Sequence, residues 1–351
     1  MNILFLTDNF PPEVNAPASR TYEHAVRWVA AGAKVTVITG APNFPQGKVY
    51  AGYRNRLFGK ENINGIQVIR VWTFVTANEG FIKRSIDYLS FAVSAFIAGL
   101  FCRADVIVAT SPQFFTTFAG AALGFLKRKP WIFELRDLWP ESLVAVGATH
   151  NSALISLLER IELNLYRHSS RVVAVTPSFK ANLVARGIPA EKIEVVTNGA
   201  DLTLWQPCPI DEDIRTELGL TGKFIVGYIG THGMAHALDF IVRAAASVQN
   251  TRLHFLFIGD GAEKASIVEL TRSLELKNVS FVPSIPKQDV PRYLASTDVA
   301  LVPLRRSNTF KTVIPSKIFE AAAMNKPILL GVEGQAEEII REFNAGISFV
   351  P

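Results

Sequence analysis

The chain is 351 residues long, with 49% hydrophobic and 19% charged residues and a formal net charge of +5. Such a composition excludes a disordered chain, and the length suffices for two buried cores. Two cysteines, Cys102 and Cys208, exclude a disulfide framework, and Met1 leads into Ile3–Leu6 with no basic leader or cleavage site, so a cytoplasmic protein is expected.

In chain order, near-continuous apolar runs predict strands at Asn2–Leu6, Lys34–Thr39, Ile66–Trp72, Asp105–Thr110, Trp131–Leu135, Arg171–Val175 and Ile193–Val196. Helical patterns fall between most of them, at Ser19–Ala31, Ile82–Leu100, Phe114–Leu126, Ala153–His168 and Ser178–Arg186. Strands buried on both faces and alternating with helices are the mark of a parallel α/β sheet. Within the second helix, Tyr88–Phe101 carries no charge and is flanked by Lys83, Arg84 and Arg103. It is shorter than the roughly 20 residues a bilayer span needs. Two readings stand, a core helix packed on the sheet and a helix docking one face on a membrane surface, and both hold if they concern different faces.

Turn chemistry follows at Asn198–Asp201 and Trp205–Pro209. A second series then has strands at Phe224–Ile229, Leu253–Ile258, Val279–Val282, Val299–Val302, Ile328–Leu330 and Ile347–Val350. Helices are expected at Leu238–Val248, Ala262–Leu274, Gln288–Ala295, Ser316–Ala323 and Ala336–Phe343. The architecture expected is α/β with two Rossmann-like domains, 1–205 and 206–351. The chain stops just after a strand, so the final helices of the second domain are expected to be missing. The surplus of Lys and Arg lies wholly before residue 205.

Neither Thr7–Pro12 nor Gly230–Gly233 carries a GxGxxG fingerprint, and there is no Walker A sequence. A nicotinamide dehydrogenase and a P-loop NTPase are thereby disfavoured. The most informative stretch is Lys311–Ala323. Pro315 suits a first helical turn, which places Ser316 and Lys317 where free amides and the helix dipole favour an anion. A lysine there conflicts with the dipole unless a phosphate stands before it; the alternative is an ordinary helix start with a solvated lysine. Glu320 shares a face with Ser316, where a ribose with two hydroxyls is a natural partner.

Phe133–Ser142 gathers Glu134, Arg136, Asp137 and Glu141 at a strand end. Asp137 could take a proton or hold a substrate hydroxyl; the plainer reading is an Arg136–carboxylate pair closing the strand. In Gly227–His236 the glycines admit a ligand to the backbone, and His232 and His236 can donate to oxyanions. The loop lacks a metal-ligand set. His24 and His254 lie on apolar-patterned elements and are expected in the core. The run Asp211–Asp213 reads as solvated and placed before a helix.

The segments FPPEVNAPA, RDLWPES, TPSFK, NGAD, GYIGTHGMAHALD, IGDG and IPSKIFEAAA together resemble retaining GT-B glycosyltransferases of family 4. They are most similar to the WbuB-type enzymes of bacterial O-antigen and capsule synthesis, and the resemblance spans essentially the whole chain. It implies two Rossmann-like domains facing across a cleft, and transfer of a sugar from a nucleotide donor, usually a UDP-sugar, to a lipid-linked acceptor with retention. By resemblance, Glu320 binds ribose, Ser316 and Lys317 meet the diphosphate, and the segment at Val282 meets the base. The loop from Gly230, with His232 and His236, replaces one that carries an Arg/Lys pair, so Lys311, Lys317 or Arg305 would supply charge. The first glutamate of the family's paired-glutamate motif is replaced by Thr312. In the first domain, Asn15 and Ala16 stand in for a glycine-rich loop, and Asp137, with Arg136 and Glu141, lies on the acceptor side.

Asp137 and Lys317 are the expected catalytic groups, with no metal and no cofactor, the nucleotide sugar being a substrate. The basic first half is assigned to a diphosphate-bearing acceptor at the inner face of the cell membrane, not to nucleic acid. Two rivals share the fold. One is a nucleotide-sugar 2-epimerase. The other is an inert or truncated homologue acting as a binding subunit, for which Thr312 and the stop at Pro351 speak.

Overall fold

The structure, a computed structural model, describes residues 1–44, 46–76, 81–111, 113–138, 140 and 152–350. The chain divides into two compact units, Met1–Thr197 and Asn198–Pro351.

The first unit is one sheet of β1 (Asn2–Leu6), β2 (Lys34–Thr39), β3 (Phe58–Ile63), β4 (Ile66–Val71), β5 (Val106–Thr110), β6 (Trp131–Leu135), β7 (Arg171–Ala174) and β8 (Ile193–Val195). The strand order is β3-β4-β2-β1-β5-β6-β7-β8. All pairings are parallel except β3 against β4. The connecting helices are α1 (Ala16–Ala30), α2 (Phe81–Leu100), α3 (Phe114–Lys127), α4 (Ser152–His168) and α5 (Pro177–Ala185). Leu4, Phe5 and Leu6 are fully buried in the central strand, as a strand covered on both faces requires.

Two local features depart from expectation. Strand β3 was not anticipated, because FGKENI is polar and alternates. Its signal was the Asn64-Gly65 pair, both at positive φ (50° and 83°), which turns β3 into β4 as a two-residue hairpin. Helix α1 starts three residues earlier than Ser19. Asn15 accepts from the Ala18 amide at 2.9 Å, and a proline in the first turn needs no donor.

The second unit has β9 (Phe224–Ile229), β10 (Leu253–Ile258), β11 (Val279–Val282), β12 (Val299–Pro303), β13 (Ile328–Gly331) and β14 (Gly346–Ser348). They are all parallel, in the order β11-β10-β9-β12-β13-β14. Its helices are α6 (Glu212–Glu217), α7 (Leu238–Ala246), α8 (Lys264–Ser273), α9 (Val290–Ala295), α10 (Lys317–Ala323) and α11 (Gln335–Glu342). Asp211 caps α6 through the Ile214 amide at 3.2 Å and also binds Arg292. That acidic run is therefore half structural rather than simply solvated.

The division falls at Thr197, eight residues before the expected boundary at 205. Trp205 is only 3% exposed and packs with Leu294, Val302, Ile318 and Leu330 of the second unit. Its amide donates to the Asp201 carbonyl at 2.8 Å, so the turn carrying it folds with the second unit.

Each sheet has a point where the winding reverses, between β1 and β5 in the first unit and between β9 and β12 in the second. The loops leaving the carboxyl ends of such strands part to open a crevice. The informative stretches lie on these loops and their neighbours.

Candidate functional site

In the second unit the crevice is lined by the loops after β9 and β12. Tyr228 is fully buried near the end of β9, and its hydroxyl donates to the Thr231 carbonyl at 2.6 Å, folding Gly230–Ala237 back on the strand. Gly230 has φ 148°, and a Cβ there would lie 2.6 Å from Cε and 2.7 Å from Nζ of Lys317. The lysine therefore rests against bare backbone, with its ammonium 5.5 Å above the centroid of the Tyr228 ring. It belongs to the first turn of α10, and among the described residues it forms no ion pair. Burial pulls its pKa down, and Glu320, one turn along, pulls it back up.

His232 is wholly buried, ringed by Tyr228, Phe257 and Phe281 at 5.8, 6.4 and 6.4 Å between centroids. Neither of its ring nitrogens has a hydrogen-bond partner. Burial first, then Lys264 and Lys317 against the opposing Asp260, hold its pKa down to about 4. Burial likewise takes His236 to about 3, assisted by Lys317 and resisted by a bond to the Pro303 carbonyl. Both imidazoles are neutral at pH 7, so the cations acting at this corner are Lys317 and Lys264.

The loops after β9 and β10 are locked together by backbone. The His232 amide donates to the Asp260 carbonyl at 2.8 Å, and Glu263 returns a bond to His232 at 2.9 Å. A Cβ on Gly259 would sit 1.9 Å from the Gly230 carbonyl oxygen, so the IGDG glycine is required by close approach. Lys264 donates to the carbonyls of Gly259 at 2.6 Å and Val282 at 3.3 Å, tying the end of β11 to the same corner.

Of the residues singled out from sequence, Gly230, His232, His236 and Lys317 come together, with Ser316 and Glu320 on either side of Lys317 and Val282 joined through backbone. The Ser316 hydroxyl makes no capping bond, and α10 begins one residue after it. Lys311 does not join them: its ammonium pairs with Glu333 at 3.6 Å, beside Arg306 at 3.4 Å. Thr312 turns its hydroxyl to the Thr309 carbonyl at 2.7 Å. Tyr228 and Lys264 were not foreseen. Inside an apolar strand a tyrosine reads as core, and a lysine that stitches carbonyls has no motif.

In the first unit Asn15 is occupied as a helix cap and also donates to the Asn9 side chain at 2.5 Å; Ala16 is exposed in the first turn. The Arg136 amide donates to the Ser111 hydroxyl at 2.9 Å, while its Nη1 is buried with no hydrogen bond. Asp137 is pushed up by burial and pulled back by Arg136. Glu141 lies outside the described residues.

The carboxylate closing β6 is Glu134, and its ion partner is Arg20 of α1 at 3.2 Å rather than Arg136. Arg20 also donates to the Val196 carbonyl at 3.1 Å. Burial pushes Glu134 up, but Arg20, Arg136 and His24 outweigh it and hold the group below its usual range. His24, expected in the core, is instead half-buried with Nδ1 3.8 Å from Glu134. His254 is buried as expected and bonds Ser280 at 2.7 Å.

A second group was not foreseen. Beyond β1, burial and mutual repulsion raise Asp8, and Glu13 and Asp87 rise to about 7. Asp8 and Glu13 share the loop after β1, and Asp87 comes from α2, far along the chain. Among the described residues no group of three His, Cys, Asp or Glu side chains is placed to hold a metal ion.

What the second unit offers is a half-buried cation that forms no ion pair among the described residues, beside glycine backbone and a helix start, at the reversal point of a parallel sheet. Such a corner suits a phosphate group. Comparison with known proteins agrees in fold and lineage. A protein of Escherichia coli strain K12 named for colanic acid biosynthesis, the glycosyl transferase WcaI, is 25% identical over 96% of this chain and 84% of its own. The structure of Anabaena HepE in complex with UDP-glucose has a TM-score of 0.71 at 20% identity, over 100% of this chain and 86% of that one. Sucrose-phosphate synthase from Thermosynechococcus elongatus gives 0.77 at 17%, with the same coverage. These solved structures are GT-B glycosyltransferases, and the two parallel-sheet α/β units here share that fold. Residues 15–199 match the glycosyl transferase 4-like domain and residues 223–351 the glycosyl transferases group 1 domain. The chain belongs to this glycosyltransferase family, whose relatives include enzymes of polysaccharide biosynthesis.

Proposed function

We propose that this glycosyltransferase moves a sugar from a nucleoside diphosphate donor, UDP-linked, to a lipid-linked acceptor in bacterial surface polysaccharide synthesis of the O-antigen or capsule kind. It would do so with retention of anomeric configuration and without a metal, working at the cytoplasmic face of the membrane. One observation carries the reading. Lys317 places an ammonium group, with no ion-pair partner among the described residues, against the bare backbone of Gly230 at the ligand end of the second sheet. The UDP-glucose bound by HepE, which shares the fold, supports the choice of donor.

In this mechanism the β-phosphate lies before Lys317, with Ser316 beside it, and Glu320 takes the ribose hydroxyls. The acceptor oxygen attacks the anomeric carbon from the side the diphosphate leaves, and its proton passes to the departing phosphate oxygen. As that bond breaks, negative charge grows on the diphosphate where Lys317 meets it. A preorganised donor of this kind is worth about 3–4 kcal/mol in the transition state. His232 and His236, both neutral, add hydrogen bonds rather than charge. Asp137 and Arg136, with Asn15, Ala16 and Glu141, are assigned to the acceptor.

The test is calorimetric titration with UDP and with GDP on the wild type, Lys317→Ala and Glu320→Ala. Micromolar UDP binding weakened about tenfold or more by each change is the expected result. A folded protein that binds neither nucleotide overturns the proposal.

A further inference from the structure

Helix α2 has one face that a helix on a sheet does not ordinarily carry. Phe91, Ala92, Ala95 and Ala98 are buried. On the opposite side Ile86, Leu89, Val93, Ile97 and Leu100 are exposed, and Phe101 just beyond the helix is 86% exposed. The one charged residue between Ser85 and Cys102 is Asp87, and it is buried. A surface helix normally turns charged and polar residues to water; here the outward stripe is apolar from Ile86 to Leu100.

Helix α3 continues the same surface. A Cβ on Gly99 would lie 2.5 Å from Leu123, so the two helices touch near their ends. The Lys127 ammonium binds the carbonyls of Leu100 at 2.8 Å and Cys102 at 2.9 Å, tying those ends together. Beside that tie Phe125 is 83% exposed and Leu126 is exposed as well. Around the apolar stripe the exposed charges are mostly positive: Lys83 and Arg84 at one end, Arg103, Arg128 and Lys129 at the other, with Asp105 beside Lys129. Among the described residues no helix is long and apolar enough to cross a membrane.

We propose that the outer face of α2, with Phe101, Phe125 and Leu126 at its end, docks on an anionic lipid bilayer. The aromatic and aliphatic side chains enter the headgroup boundary and the Lys/Arg rim meets lipid phosphates. The cationic rim selects this occupant, since a second copy of the chain would bring like charge against like. The stripe also begins near the ligand end of the sheet. Asp87, on the buried side of the first turns of α2, acts electrostatically on Asp8 beyond β1, and Ser90 accepts from the Phe74 amide just past β4 at 2.7 Å. This deepens the reading of a lipid-linked acceptor and rests on it for its purpose. Vesicle binding, however, needs neither nucleotide nor acceptor, so the two fail separately.

The full chain is sedimented with vesicles of mixed phosphatidylglycerol and phosphatidylcholine, and with phosphatidylcholine alone. Pelleting with the anionic vesicles, reversed by salt, is expected. Phe101→Ser combined with Phe125→Ser lowers partitioning about tenfold or more, and Arg103→Glu with Arg128→Glu removes the preference for anionic lipid. All four positions are exposed, so thermal melting stays at the wild-type value. As a second readout, a tryptophan introduced by Ile97→Trp shifts its emission to the blue on adding the anionic vesicles alone. Three outcomes overturn the proposal: no pelleting with either vesicle, unchanged pelleting of the Phe101/Phe125 variant, or a vesicle-free dimer that this variant dissolves.

Discussion

Replacing Gly230 by alanine tests whether the position of one ammonium group governs donor binding. The new Cβ would stand 2.6 Å from Cε and 2.7 Å from Nζ of Lys317. The far end of a lysine can move where backbone cannot, so the lysine swings away and the fold survives. The alanine is also held at φ 148°, a region costly for any residue with a Cβ, at about 1–3 kcal/mol. The melting temperature should fall by about 2–4 °C for each of those kcal/mol.

A charge-assisted hydrogen bond to phosphate is worth about 1.5–3 kcal/mol, so UDP affinity in calorimetry should drop by about tenfold to a hundredfold. Gly233→Ala serves as the control in the same loop. It has φ −117°, and its nearest neighbours would be 3.6 Å and 3.8 Å away, so nothing need shift. If Gly230 acts through the lysine, adding Lys317→Ala to Gly230→Ala costs little more than either change alone. A folded Gly230→Ala protein that binds UDP as tightly as the wild type refutes the reasoning, as does a double variant whose losses simply add.

Two further outcomes stem from burial. His232 has its pKa depressed from 6.5 to about 4, so between those values the unfolded chain binds more protons and stability falls as pH falls. His232→Phe removes that loss, and in urea unfolding it should gain on the wild type by up to about 3 kcal/mol between pH 7 and 4. Glu13 and Asp87, raised to about 7, act with the opposite sign, contributing stability at low pH that is lost towards pH 7. They cancel in the comparison, and a flat difference across the range contradicts the assignment. Trp205→Ala should cost about 3–5 kcal/mol, with hydrogen exchange quickening in β9–β13 and not in β1–β6. Loss of protection in the first unit instead would return the residues around Trp205 to that unit.

Strands and helices were legible wherever apolar periodicity alone decides them. The central strands of both sheets, the helices between them and the start of α10 fall within a few residues of the expected places. A polar element defined by a partner was not: β3 exists because β4 pairs with it.

The site divides in the same way. Lys317 was visible because a cation at a helix start conflicts with local electrostatics, and a conflict within one turn can be read along the chain. The ion pair of Arg20 with Glu134 and the meeting of Asp87 with Asp8 and Glu13 join residues far apart in sequence, and the Lys264 bond to the Val282 carbonyl spans two elements, so no local pattern announces them. Lys311 shows the converse, since its charge was plain but its partner Glu333 was not.

By itself, then, the sequence determined a pair of parallel α/β units and marked the lysine at the head of α10, because backbone periodicity and helix-end electrostatics are local. Tertiary structure alone decided that Lys317 rests on Gly230 and Tyr228, with no ion pair among the described residues. It also decided that Trp205 belongs to the second core, and that the outer face of α2 stays bare. Which charges meet, and which apolar faces remain uncovered, depend on what the rest of the chain brings against them.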